Sequence, residues 1–224
     1  MPYAANLAFA LDNRKKFAGA VTAGWRAFNI SSDKTTGIGA WHDDDLISYL
    51  SLGHASGHGT ASGPMGEVVD QSFSQMAPED IRAVVAYLRS VPATASPDLP
   101  ATLAPPAPAS HRDGGSSDPR GKMVFEGACV SCHGWTGESS ISPLATLTGA
   151  RAVNDPSATN VAQIVITGTK RHTPEGAISM PAFGNAYSDE EIAAVANYVT
   201  ARFGAKASHV TVGDVAALRT QTSE

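Results

Sequence analysis

The only two cysteines of this 224-residue chain stand three positions apart and are followed at once by a histidine, in the order Cys129-Val-Ser-Cys132-His133. Three kinds of site use such a Cys-x-x-Cys pair: a structural disulfide or dithiol, part of a zinc site, and a covalent haem anchor. Each needs different neighbours in the sequence and a different fold around it. This motif therefore constrains the fold more than any other feature.

Two of these interpretations find little support elsewhere in the chain. A thioredoxin-like redox pair follows a strand in a βαβ unit, and the sequence predicts no strand before Cys129. A zinc site typically has four ligands, whereas His172 and His209 stand singly and far apart. A structural disulfide between residues three apart closes a very small loop, so it would add little stability.

The covalent haem interpretation uses all three side chains. Two sulfurs about one helical turn apart can form thioether bonds to the two vinyl groups of one porphyrin, and the adjoining histidine gives the iron an axial nitrogen. A helix is predicted just before the motif, because Asp118 can cap it and Pro119 suits its first position. The sequence therefore predicts one covalent c-type haem, bound by Cys129, Cys132 and His133.

A second iron ligand is predicted downstream of the motif. Met180 follows His133 by 47 residues in the stretch Ile-Ser-Met-Pro, and a loop of that length can pass around a haem to its opposite face. Core packing is the commoner role of a methionine. His172 is the alternative ligand, but its polar and charged neighbours predict an exposed position. We therefore predict that His133 and Met180 are the two metal ligands.

Composition divides the chain into two lobes. Proline, alanine, serine and glycine dominate residues 92–118, which is typical of an extended linker. This predicts a first lobe at 1–91 and a second lobe at 119–205. A C-terminal tail follows at 206–224, with one helix predicted around 212–219.

Each lobe is predicted to end in an amphipathic helix. The first lobe has a helix start at Pro78. The second has a capping box formed by Ser188 and Glu191, and Gly204 ends its helix. The apolar face of the first helix consists of Ile81, Val84, Val85 and Leu88. The predicted fold class is therefore all-α.

Charge and hydropathy limit the possible functions. The formal net charge is −5 and the 16 lysines and arginines are scattered, which argues against a nucleic-acid-binding surface. No apolar run approaches the ~20 residues of a membrane span. The N-terminal apolar stretch precedes its basic residues, unlike a signal peptide, so we expect any export signal to be absent from this sequence. The sequence contains no catalytic triad, phosphate-binding loop or pair of carboxylates that would predict an enzyme.

Both lobes resemble parts of known cytochromes. Residues 119–204 resemble a class I c-type cytochrome domain in the attachment motif, the Met-Pro loop and the C-terminal helix. Residues 29–41, with Asn-Ile and Gly-Ile-Gly-Ala-Trp, and residues 58–65, ending in Gly-Pro-Met, resemble a more specific domain. It is the central domain of the multihaem cytochrome c subunits of bacterial membrane-associated alcohol, aldehyde and sugar dehydrogenases. The resemblance covers most of the second and third of three tandem domains.

The first lobe departs from this family. In the resembled central domain, a Cys-x-x-Cys-His motif of its own attaches the haem and the methionine of Gly-Pro-Met is an iron ligand. No cysteine precedes Cys129 here. We therefore predict an incomplete or haem-free cytochrome-like lobe, in which Met65 is a buried apolar residue and His54 and His58 lie in a surface loop. The haem-bearing helix that would cover its last helix is missing, so residues 1–91 are expected to pack against the second lobe, another copy of the chain or a partner.

The predicted ligands imply electron transfer without bond chemistry. With His133 and Met180 on opposite faces, the iron has no open position and can only change oxidation state. The resemblance also implies that a carbonyl near Pro143 accepts the Nδ1–H of His133.

The resemblance further implies partners and a location. A dehydrogenase subunit would be the electron donor, and ubiquinone or a terminal oxidase the acceptor. We expect a periplasmic protein, with peripheral membrane association or oligomer formation compatible with this role. The alternative interpretation is a haem-based sensor or docking protein with a labile sixth ligand.

Overall fold

A computed structural model describes residues 16–96, 118–173 and 176–222. Most of the predicted linker at 92–118 lies outside these residues. The helices are α1 (Asp43–Leu52), α2 (Gly63–Gln71), α3 (Pro78–Ser90), α4 (Pro119–Val124), α5 (Val130–His133), α6 (Arg151–Asn154), α7 (Thr159–Thr167), α8 (Asp189–Phe203) and α9 (Val212–Thr222). The strands are β1 (Ala20–Thr22), β2 (Trp25–Ala27), β3 (His54–Ala55), β4 (Gly59–Thr60), β5 (Thr169–Thr173) and β6 (Gly176–Met180).

The all-α prediction is incomplete, because the helical framework carries three antiparallel two-stranded hairpins, β1–β2, β3–β4 and β5–β6. Gly24 and Gly57, at the turns of the first two, adopt left-handed backbone with φ of 73° and 75°, a conformation that glycine adopts at little cost. Strands of two or three residues are too short to produce an alternating pattern in the sequence. The described helices include none that is both long and apolar enough to cross a membrane.

The core of the second lobe forms where α4 crosses α8. The ring of Phe125 lies 5.5 Å from that of Tyr198 and 5.3 Å from that of Phe203, and all three side chains are buried. The helix α8 begins with the predicted capping box: the Ser188 side chain accepts from the Glu191 backbone, and the Glu191 carboxylate accepts from the Ser188 backbone at 2.8 Å. This crossing fixes the helix that leads into the cysteine motif.

The crossing is close because Gly121 of α4 packs directly on the backbone carbonyl of Ala194 in α8, where any Cβ would overlap that oxygen. We expect Gly121→Ala to lower the free energy of unfolding by about 1–3 kcal/mol through overpacking. Denaturant titration measures this loss. Gly127→Ala is the control, because nothing lies within 4 Å of a Cβ at Gly127. Equal stabilities of the two variants would contradict the close crossing.

The first lobe has a small core of its own. Trp41 packs with Leu46 and Leu50 of α1 and with Ile81 and Val85 of α3. The prediction that the apolar face of α3 needs cover from outside the lobe is therefore wrong, since α1 and the preceding turn cover it.

The glycine-rich stretch before α1 forms a tight turn around buried polar groups. The Asn29 amide donates to the hydroxyl of Thr36 at 3.0 Å and to the carbonyl of Thr94 at 2.7 Å. Gly37 and Gly39 pack against backbone carbonyls so closely that a side chain at either position would overlap them. These contacts explain why the stretch combines asparagine with glycines.

The first lobe packs against the second through polar groups. Arg26 of β2 forms a 3.2 Å ion pair with the buried Asp155, and its backbone exchanges two hydrogen bonds with the side chain of Asn160 in α7. The hydroxyl of Thr60 donates to the carbonyl of Leu144 at 2.9 Å. The second lobe is thus the neighbour of the first, one of the three that the sequence left open.

Arg151, at the start of α6, joins the same interface. Its guanidinium lies 4.8 Å from the ring centroid of Phe28 and donates to the backbone carbonyls of Asn29 and Thr36. Burial lowers the pKa of Arg151 to about 10, so the group stays charged at neutral pH. A buried cation is tolerated here because carbonyl oxygens surround it.

Helix α9 confirms the helix predicted near the C-terminus. It packs on α7 and α8, and Val215 and Leu218 join the second core. The Arg219 guanidinium donates to the carbonyl of Tyr187 at 2.8 Å and to that of Gly184. Helix α9 therefore holds the segment between β6 and α8.

Candidate functional site

The cysteine motif starts in an irregular part of the helix. Residues Phe125–Cys129 form a π-helical segment between α4 and α5, so Cys129 ends the wide turn and α5 carries Cys132 and His133. Single π turns inside α-helices are rare and frequently lie at functional sites. The sequence predicted the helix but not its widened turn.

The two thiols differ in their surroundings. Cys129 is half-buried against the core of the second lobe, whereas Cys132 is exposed, and the two form no disulfide. Burial raises the pKa of Cys129 to about 11, so it is protonated at neutral pH. A redox-active cysteine instead has a lowered pKa. Among the described residues, no three His, Cys, Asp or Glu side chains form a cluster that could hold a metal ion.

His133 is oriented by the backbone. Its Nδ1 donates to the carbonyl of Ala145 at 2.6 Å, and Ala145 ends the short 3₁₀ turn Pro143–Ala145. The acceptor therefore lies two residues after Pro143, which opens the turn. Burial lowers the pKa of His133 although the hydrogen bond to Ala145 opposes this effect, so the imidazole is neutral. With the proton on Nδ1, Nε2 has the lone pair that a metal needs.

A set of half-buried apolar side chains includes Cys129 and Val130 of the motif. Its members pack on the second core without being enclosed by it: Cys129, Val130, Leu147, Ala152, Met180, Phe183 and Tyr187. Two thiols, an oriented neutral imidazole and a thioether beside an apolar surface are the groups that a covalent haem requires. The residues present therefore fit this cofactor.

Met180 ends the hairpin β5–β6, for which the sequence predicted a loop. The register pairs Met180 with Thr169, and the chain leaves the strand at Pro181. The following segment returns to α7, where the backbone N–H of Phe183 donates to the carbonyl of Val165 at 2.9 Å. Met180 is thus placed between a hairpin on one side and a segment bound to the second core on the other.

His172, the alternative ligand, is exposed, as predicted. Its side chain is 65% exposed and its Nδ1 is 3.2 Å from the carboxylate of Asp70. The neighbouring Arg171, by contrast, is buried and pairs with Asp70 at 2.8 Å. The charge of Arg171 gave no sign of burial, because its partner lies in the other lobe.

His54 and His58 are not in a simple surface loop, as predicted, but in the hairpin β3–β4. His54 Nδ1 lies 2.9 Å from the hydroxyl of Thr60. The ring of His58 stacks on Trp41 with centroids 3.7 Å apart, and its Nε2 is 3.4 Å from Asp45. Burial lowers the pKa of both histidines. Each of these two histidines therefore contacts another side chain of the first lobe, near the interface with the second lobe.

Met65, which aligns with a ligand position of the resembled family, is half-buried against the first core. This agrees with the prediction of a packing residue. The structure thus packs Cys129 and Met180 against the second core, places His133 at the end of α5 and packs Met65 against the first core.

Comparison with known proteins identifies the second lobe. The family model described as cytochrome c matches residues 119–202. The chain is 33% identical over 217 residues to the fructose dehydrogenase cytochrome subunit of Gluconobacter japonicus, covering 89% of this chain and 44% of that protein.

Two further relatives are cytochrome c subunits of other dehydrogenases. The gluconate 2-dehydrogenase subunit of Pantoea cypripedii is 35% identical, with 88% of this chain and 45% of that protein covered. The subunit of alcohol dehydrogenase (quinone) of Gluconobacter oxydans is 30% identical, with 90% and 43% covered. The chain therefore spans less than half the length of each of these three relatives.

Proposed function

Because residues 119–202 belong to the cytochrome c family, we propose that the protein is a one-electron carrier and has no catalytic site of its own. It would hold one c-type haem through thioether bonds to Cys129 and Cys132, and His133 and Met180 would supply the iron ligands. The observation that carries this proposal is the 2.6 Å hydrogen bond from His133 to Ala145 beside the attachment motif, since it leaves Nε2 for a metal.

Each residue has a separate task in this proposal. Cys129 and Cys132 fix the orientation of the ring, and the Ala145 carbonyl holds the imidazole of His133 in one tautomer. Met180 adds a thioether, which favours the reduced state relative to a second histidine. The haem, when bound, supplies reversible one-electron oxidation and reduction. With His133 and Met180 both bound to the iron, oxygen and peroxide would find no free site there.

The partners follow from the relatives, which are cytochrome subunits of fructose, gluconate 2- and alcohol dehydrogenases. We propose that a dehydrogenase subunit donates electrons to this chain and that a quinone or a terminal oxidase accepts them. This exchange would take place in the periplasm, at or near the inner membrane. Co-purification with a dehydrogenase that reduces the haem when its substrate is added tests the donor.

A second test measures the number of haems per chain. We expect the intact mass of the native protein to exceed the polypeptide mass by one haem, because the sequence holds one Cys-x-x-Cys-His motif. A pyridine haemochrome assay against protein concentration gives the same count independently. Two haems per chain would mean that the first lobe also binds one.

Carbon monoxide separates the carrier from a haem-based sensor. We expect the spectrum of the ferrous protein to stay unchanged under carbon monoxide, since Met180 fills the sixth position. Met180→Ala is the positive control, because it opens that position. Rapid, complete binding by the unaltered protein would favour the sensor.

A further inference from the structure

The face of the hairpin β5–β6 that bears Met180 also bears Arg171. Alternate side chains of a strand share a face, and directly paired residues of two strands share it as well. The register pairs Met180 with Thr169 and Arg171 with Ile178, so the four side chains lie on one face. Burial agrees, because Arg171 is buried and the other three are half-buried, whereas the residues between them are exposed.

From this face Arg171 reaches into the first lobe. Its Nη2 lies 2.8 Å from the Asp70 carboxylate at the end of α2, and its Nη1 donates to the carbonyl of Gly66 at 3.0 Å. The Arg171 side chain is 3% exposed and that of Asp70 12%. The guanidinium fills the space above Gly53, where any side chain would collide with it. A charge buried this far depends on its partners for its position.

A second contact fixes the same strand to Asp70. The backbone N–H of His172 donates to the other carboxylate oxygen at 3.1 Å. One aspartate of the first lobe therefore holds two consecutive residues of β5, one through its side chain and one through its main chain. Beyond Met180, by contrast, the chain is held by the second lobe, through the bond from Phe183 to Val165 at 2.9 Å.

We propose that Arg171, held by Asp70, is a positioning residue for Met180, so that the first lobe controls the sixth ligand of the iron in the second. This inference rests on the proposed function, in which Met180 binds the iron. A thioether is a soft, neutral donor and a weak ligand for ferric iron. The fraction of molecules with the sulfur bound therefore depends on how firmly the hairpin holds Met180 in place.

The test measures imidazole binding to the ferric, haem-loaded full chain, followed through loss of the weak long-wavelength band of a thioether on ferric haem. Imidazole must displace Met180, so its apparent affinity rises as the bound methionine becomes less stable. Arg171→Met keeps the aliphatic stem and removes the charge, and we expect it to bind imidazole about tenfold more tightly. Asp70→Asn should also tighten imidazole binding. Arg171→Lys, which keeps the charge, should tighten imidazole binding less than Arg171→Met does.

Arg26→Met is the matched control, since it removes a different ion pair between the lobes, the 3.2 Å contact of Arg26 with Asp155, which includes no residue of β5 or β6. Unchanged imidazole affinity in Arg171→Met, or an equal rise in Arg26→Met, would overturn the proposal. If Arg171→Met does not retain haem, Asp70→Asn decides by the same comparison. If the proposed function itself is wrong and Met180 does not bind the iron, the thioether band would be missing from the unaltered protein. This outcome distinguishes the two failures.

Discussion

Replacing Met180 with alanine is expected to leave the haem attached through Cys129 and Cys132 while removing the thioether from the iron. The long-wavelength band of the ferric spectrum should disappear. The reduction potential should fall by on the order of 0.1 V, because the thioether favours the ferrous state and axial ligands dominate haem potentials. Absorption spectra and a potentiometric titration measure both changes.

Met65→Ala is the informative control for that experiment. Met65 is the methionine of the first lobe that the family resemblance places at a ligand position, yet it is half-buried against the first core. We expect Met65→Ala to lower stability and leave the haem spectrum and potential unchanged. If Met65→Ala removed the band and Met180→Ala did not, the assignment of the sixth ligand would be wrong.

Replacing both Cys129 and Cys132 with alanine should produce the largest effect of any change considered. We expect no covalent haem on a denaturing gel. We also expect the second lobe to lose cooperative unfolding, because the half-buried apolar side chains on the second core would be left facing water. Each of these side chains costs on the order of 1 kcal/mol when it stays uncovered. Haem staining and thermal melts by circular dichroism measure these outcomes.

Single variants sharpen this test. Cys132 is exposed, so Cys132→Ala changes little packing and still leaves one thioether at Cys129. We expect the single variant to keep covalent haem at reduced yield and to melt cooperatively. A double variant that melts like the unaltered protein would show that the second lobe is stable without its cofactor.

Local signals in the sequence were enough to predict the parts that depend on neighbouring residues. The capping box of Ser188 and Glu191, the proline start of α3 and the attachment motif are set by residues within one or two turns of each other. The carbonyl that orients His133 was also expected near Pro143, and Ala145 supplies it.

The remaining parts depend on contacts between distant residues. Arg171 lies 101 positions after Asp70, and nothing near either residue indicates that the two form a buried pair. The hairpin that carries Met180 was predicted as a loop because its short strands give no clear alternation. The packing of α3 was also predicted wrongly. Its apolar face packs against α1, a helix that has no clear local signal in the sequence.

The π-helical turn at Phe125–Cys129 sets the direction in which Cys132 and His133 leave the helix. Successive residues of an α-helix are rotated by about 100° around its axis, and a π turn accommodates one residue more than an α turn. Regular α-helical winding of this segment with no residue removed would leave Cys-x-x-Cys-His intact. It would nevertheless rotate Cys132 and His133 by about 100° relative to α4, away from the carbonyl of Ala145. An unaltered motif can therefore lose its ligand geometry through the angular phase of the helix before it.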